Sequence, residues 1–113
     1  MYYDIVFHFD KGIDELNITI SNIKNYYTGL PKENFKAVLV VNGPGIKLMG
    51  KESSFSPDLK KLHEKGLNIR VCNNAMIHFN LKSEWLNPVC HIVPAGLLEL
   101  VDLQRKGFVY IKP

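Results

Sequence analysis

Short apolar runs alternate along this chain with longer stretches of helical periodicity. The first run, Tyr3 to Phe9, predicts a strand, and Asp10-Lys11-Gly12 predicts a turn after it. Ile13, Leu16, Ile20, Ile23 and Tyr27 then recur at helical spacing, predicting a helix through about Leu30. Asp14 and Glu15 suit its first turn, and Gly29 and Pro31 stop it. Ala37-Val38-Leu39-Val40-Val41, within Phe35 to Asn42, is apolar without a break. That pattern fits a strand covered on both faces, as in a parallel sheet. Asn42-Gly43-Pro44-Gly45 reads as a sharp loop, followed by a short helical piece from Ile46 to Met49. Ser56 is the expected N-cap of the next helix, with Pro57 and Asp58 in its first turn, Leu59 and Leu62 facing inward and Gly66 closing it.

Leu67 to Cys72 predicts a third strand, running directly into a short helix from Asn73 to about Leu81. Asn73 and Asn74 are the expected capping pair there. Cys90 to Val93 is a brief strand, and Pro94-Ala95-Gly96 leads into a helix from Leu97 to about Lys106, closed by Gly107. Phe108 to Ile111 is the last strand. The order βαβαβαβαβ with short linkers predicts an α/β fold, a three-layer α/β/α sandwich on a mostly parallel five-stranded sheet. Residues 1–113 are expected to form one domain with a modest core. Leu97, Leu98, Leu100, Val101 and Leu103 cover more of the last helix than one apolar stripe needs. The surplus points either to deep burial or to contact with another subunit, and Ile18, off the inward stripe of the first helix, can join the latter.

Composition narrows the class. With 46% hydrophobic and 22% charged residues the chain is an ordinary globular sequence. No apolar run approaches the roughly 20 residues that span a bilayer, so no membrane association is expected. Met1-Tyr2-Tyr3-Asp4 lacks a basic leader, and a cytoplasmic location is the expectation. The net charge of +3 is dispersed; the densest basic group, Lys60, Lys61 and Lys65, lies beside Asp58 and Glu64. It reads as a solvated face, and no nucleic-acid partner is expected. There is no Cys-x-x-Cys, and His8, His63, His78 and His91 are isolated, so neither a metal site nor a cofactor is expected. If the strands bearing Cys72 and Cys90 are parallel neighbours, three residues of rise separate the thiols by roughly 10 Å, too far for a disulfide.

The candidate chemistry gathers at the carboxyl ends of the predicted strands, where open α/β sheets bind ligands. Cys72 is the central candidate. It ends a strand beside a helix start, where orphan N–H groups favour a thiolate, though a buried structural cysteine is equally compatible. His8 can activate Cys72 only within hydrogen-bond reach; otherwise it is a satisfied core histidine. Asn42 and Gly43 can present donors to an anion or simply make a tight turn. Asn73, Asn74, Pro94 and Gly96 complete the candidate pocket. Cys90, at the amino end of its strand, reads as core, and His78 as a surface or interface residue. No Ser-His-Asp set or paired carboxylates are legible, which removes support for classical hydrolysis.

The pattern resembles the small DsrE/DsrF-like (YchN-like) family. The likeness rests on Ile5-Val6-Phe7-His8-Phe9, Val40-Val41-Asn42-Gly43-Pro44-Gly45, Val71-Cys72-Asn73-Asn74-Ala75-Met76 and the tail from Val93 to Pro113. The resemblance implies a five-stranded α/β/α sandwich assembled as a homotrimer or hexamer. It also implies an intracellular sulfur carrier or sulfurtransferase, with Cys72 accepting sulfane sulfur as a persulfide and exchanging it with a donor or acceptor protein. The rival expectation is a non-catalytic oligomeric module holding a small anionic or nucleotide-like ligand at the strand carboxyl ends.

Overall fold

The computed structural model describes residues 1–113. Its strands are β1 (Ile5–Phe9), β2 (Ala37–Val41), β3 (Asn68–Cys72), β4 (Cys90–Val93) and β5 (Val109–Ile111). The helices are α1 (Ile13–Gly29), α2 (Ser56–Glu64), α3 (Asn73–His78) and α4 (Gly96–Arg105), with a 3₁₀ segment at Gly43–Leu48. The sheet has the order β4-β3-β2-β1-β5, and every pairing is parallel. This is the α/β sandwich that the alternating pattern predicts.

Strand alternation divides the sheet into two unequal faces. On one, Ile5, Phe7 and Phe9 of β1, Ala37, Leu39 and Val41 of β2, and Ile69 and Val71 of β3 pack with Leu16, Ile20 and Ile23 of α1, Leu59 and Leu62 of α2, and Met76 of α3. On the other, a smaller cluster joins Val6, Val38 and Val40 to Leu100 and Leu103 of α4. The asymmetry follows from winding. From β1 to β4 each strand is laid on the same side of its predecessor, so right-handed crossovers send α1, α2 and α3 to one face. The step from β4 to β5 runs the opposite way and sends α4 to the other. Those strands lie at opposite edges, four intervals or about 19 Å apart. A ten-residue helix spans about 15 Å, so α4 alone bridges most of the sheet and touches β1, β2, β3 and β5.

Several local expectations change. β1 starts at Ile5, because Asp4 turns inward to accept from the Lys36 N–H at 2.8 Å. The short helical piece is a 3₁₀ segment that begins already at Gly43. Ser56 is the first residue of α2 and not its cap: its hydroxyl donates back to the carbonyls of Gly50 (3.1 Å) and Lys51 (3.0 Å). α3 ends at His78, and Asn80 takes a left-handed φ of 56°. The following loop packs back on the 3₁₀ segment through Asn87 N–H to the Met49 carbonyl (2.9 Å) and a Gly50–Leu86 bridge. On α4, Leu97, Leu98 and Val101 are 67%, 62% and 51% exposed, so burial within the chain does not explain the surplus of apolar positions. Ile18 is likewise exposed.

The loop after β2 is held by close packing. A Cβ on Gly45 would sit 2.8 Å from the Phe9 ring and 3.1 Å from the Asp10 backbone. Phe9 is buried and has no room to yield. Gly45→Ala is expected to destabilise the fold by about 1–3 kcal/mol through overpacking. Denaturant unfolding measures this, and an unchanged midpoint would contradict the packing described.

Candidate functional site

A topological divergence creates the candidate site. β3 and β4 are neighbours, yet the chain leaves β3 into α3 on one face and leaves β4 toward α4 on the other. Adjacent strands whose connections part in this way leave a crevice outside their carboxyl ends, where ligands bind in open α/β sheets. A cleft of about 290 Å³ occupies that place.

Of the residues singled out in the sequence, Asn42, Gly43, Cys72, Asn74 and Gly96 line this cleft. His78 and Leu97 join them. His78 is thus a cleft residue as well as an exposed one. Asn73 is half-buried, Pro94 is exposed, and neither lines the cleft. The capping expectation is corrected: Asn73 and Asn74 are the first helical residues, and Cys72 itself occupies the N-cap position with extended backbone (φ −74°, ψ 120°). β3 therefore passes into α3 with no linker, which fixes the Cys72 side chain at the crevice wall.

Two features bring α4 against that wall. Gly96 abuts Asn42 and Cys72 so closely that a Cβ there would lie 3.1 Å from the Asn42 Cβ and 3.4 Å from the Cys72 Cβ. Only glycine permits that approach without displacement. Arg70 of β3 donates from Nη1 to Glu99 Oε2 at 2.7 Å and from Nε to Asn68 Oδ1 at 2.9 Å. Glu99 lies in the first turn of α4, so this partly buried pair ties the helix start to β3. Gly43, with φ +54°, adopts the left-handed conformation that glycine takes at no steric cost and turns the chain sharply away from β2.

His8 lies behind this wall, not in it. Its side chain is buried on the α4 face, with Nδ1 2.6 Å from the Tyr110 hydroxyl and Nε2 2.8 Å from Asn42 Oδ1. Both ring nitrogens are engaged, which leaves none to take a proton from Cys72. Sequence reasoning missed Tyr110, 102 residues away, and the Arg70–Glu99 pair. Neither has a local signature.

The two thiols are free and both are buried, Cys72 at 7% and Cys90 at 9% exposure, but only Cys72 lines the cleft. Cys90 pairs in register with Ile69, three positions below Cys72's partner Val93. Burial pushes the Cys90 thiol up to about 12. A wider depression of about 1230 Å³ opens beyond β1 and β5, where Asp10 and Lys112 pair at 3.1 Å. It mixes lysines with carboxylates and contains no thiol. No helix is long and apolar enough to cross a membrane.

The all-parallel five-stranded sheet with helices on both faces defines a small α/β/α sandwich protein. The chain belongs to the DsrE/DsrF-like family, whose model matches residues 2–113. Among solved structures it is similar to MTH1491 from Methanobacterium thermoautotrophicum, a protein of unknown function. The identity is 26%, the TM-score 0.92, and the match covers 98% of this chain and 99% of that one. It is also similar in fold to the YchN protein of E. coli (12% identity, TM-score 0.80, covering 98% and 99%). BT1422 from Bacteroides thetaiotaomicron, a conserved protein of unknown function, shares the fold at 12% identity and TM-score 0.78, covering 97% and 94%. No curated protein matches the chain.

The difference between the thiols has a direct readout. At pH 8 a thiol titrating at about 12 is almost wholly protonated and unreactive. Iodoacetamide is expected to modify Cys72 in the native protein while Cys90 reacts only on unfolding. Peptide mass mapping over time checks this; equal rates at the two cysteines would contradict it.

Proposed function

We propose that this protein is a sulfur carrier of the sulfur-relay type, in which Cys72 takes up and passes on sulfane sulfur. In the first step the Cys72 thiolate attacks the outer sulfur of a donor persulfide. The donor's S–S bond breaks, its thiolate leaves with the bonding electron pair, and Cys72 becomes a persulfide. In the second step an acceptor thiolate attacks the outer sulfur of that persulfide and Cys72 leaves as thiolate. No net redox change occurs, and the only co-reactants are a persulfide donor and a thiol acceptor, expected to be partner proteins.

The observation that carries this reading is the place of Cys72 in the cleft wall. Cys72 lines the crevice at the β3–β4 divergence, whereas Cys90 is held protonated by burial. Membership of the DsrE/DsrF-like family supports the sulfur assignment. The cleft, at about 290 Å³, suits a short sulfur chain or a protein-borne persulfide. The exposed Leu97, Leu98 and Val101 beside it supply an apolar surface for a second copy, in a trimer or hexamer. The location proposed is cytoplasmic, in keeping with reduced thiols.

Incubation with inorganic polysulfide tests the carrier. A mass gain of whole sulfur atoms on Cys72, reversed by dithiothreitol, is the expected result. Cys72→Ser is expected to lose the gain and keep its stability within about 1 kcal/mol, because serine is a favourable N-cap residue. A variant that melts far earlier yet still gains sulfur would defeat the assignment. Absence of any gain in the native protein, with thermal shifts on adding small anions, would favour the binding-module alternative.

Assembly has its own test. Light scattering at micromolar concentration is expected to give a trimer or hexamer, and Val101→Lys is expected to lower the mass. A monomer in the native protein would reject the proposed interface.

A further inference from the structure

We propose that Asn42 is the anion-recognising group of the Cys72 cleft and that buried His8 is its positioning residue. The inference rests on the sulfur-carrier reading for the identity of its ligand, a terminal sulfur anion. It follows from a hydrogen-bond chain that crosses three adjacent strands. Tyr110 on β5, His8 on β1 and Asn42 at the end of β2 lie side by side, because β1 sits between β2 and β5.

The placement of Asn42 Oδ1 against Nε2 assigns the protons. Asn42 Oδ1 is an acceptor only, so His8 Nε2 at 2.8 Å must carry the hydrogen and donate it. In the neutral ring Nδ1 is then the acceptor, and the Tyr110 hydroxyl at 2.6 Å donates to it. His8 is only 7% exposed, and a buried polar ring without both partners would be destabilising. The consequence reaches the cleft. With Oδ1 turned toward His8, the Asn42 amide must turn Nδ2 the other way, toward Gly96. Nδ2 would lie 3.5 Å from a Cβ placed on Gly96, the residue that also abuts Cys72.

Nδ2 makes no hydrogen bond within the chain, and it is not among the sealed, unsatisfied polar atoms, of which Asp10 Oδ1 is the sole example. Asn42 itself is half-buried and lines the cleft. The arrangement thus offers free N–H donors next to Gly96, the residue that also abuts Cys72, on an amide held by a buried ring that is bonded at both nitrogens. Donors without a facing acceptor select an electron-rich guest. A persulfide anion on Cys72 has its negative charge on the outer sulfur and fits that requirement better than the neutral thiol. His8 acts through Asn42: without it the amide is free to flip and present its oxygen, which repels the same guest.

The test compares two alkylating reagents at Cys72, iodoacetate (anionic) and iodoacetamide (neutral), by peptide mass mapping of the full chain. Their rate ratio cancels general changes in thiol accessibility. Asn42→Ala is expected to lower the iodoacetate-to-iodoacetamide ratio about tenfold, the loss of one hydrogen bond to a charged group. His8→Leu is expected to lower it several-fold. His8→Gln is expected to hold it within about twofold, since the glutamine amide offers an N–H near the former Nε2. An unchanged ratio in Asn42→Ala overturns the inference, as does His8→Gln falling as far as His8→Leu. Nitrogen NMR of the native protein supplies a readout that needs no folded His8 variant: a proton on Nε2 is expected, and one on Nδ1 alone overturns the orientation argued for Asn42. Alkylation requires no sulfur transfer, so the two ideas separate. Failure of polysulfide loading with the expected ratios rejects the carrier and leaves anion recognition standing. Loading with unchanged ratios does the reverse.

Discussion

A parallel sheet must be covered on both faces, and in this chain three helices fall on one face and a single helix on the other. That imbalance governs the rest of the molecule. It arises because β1 to β4 are wound in one direction and β5 is added at the far edge. The chain must therefore change faces once, after β4, and the place where it does so is the crevice beside Cys72. The site is a consequence of winding before it is a consequence of any side chain.

The thin face also explains where the polar residues went. Val6, Val38, Val40, Leu100 and Leu103 make a cluster too small to cover the sheet, and His8, Arg70 and Tyr110 occupy the remaining area. Each is satisfied by a partner from another element, as buried polar groups require. These bonds serve geometry: Arg70–Glu99 holds the start of α4 on β3, and Tyr110–His8–Asn42 fixes an amide at the cleft. The same helix leaves Leu97, Leu98 and Val101 uncovered at the rim. One structural economy thus places a thiol, an oriented amide and an apolar surface within one corner.

Much of this was legible in the sequence, for physical reasons. The unbroken Ala37–Val41 run records burial on both faces, and the spacing of Leu16, Ile20 and Ile23 records one packed helix stripe. Cys72 was marked correctly as the end of a strand abutting a helix. Capping was misread because Ser56 and Asn73 have cap chemistry, while the backbone starts its helices one residue earlier than they require. The meaning of His8 was out of reach: its partners lie 34 and 102 residues away, and only the sheet order brings them together. The opposing sides of α4 posed a similar problem. The leucines show that the helix has more apolar positions than one stripe needs, but exposure in the folded chain was needed to show which of them are bare.

The central claim is that Cys72 carries sulfur as part of its normal chemistry. The most direct measurement uses protein isolated without reductant and blocked at once with iodoacetamide, followed by peptide mapping. A fraction of Cys72 bearing an additional sulfur between its side chain and the blocking group is the predicted result, with Cys90 unmodified until unfolding. Cys72 blocked directly in every molecule, or the additional sulfur found on Cys90, would contradict it.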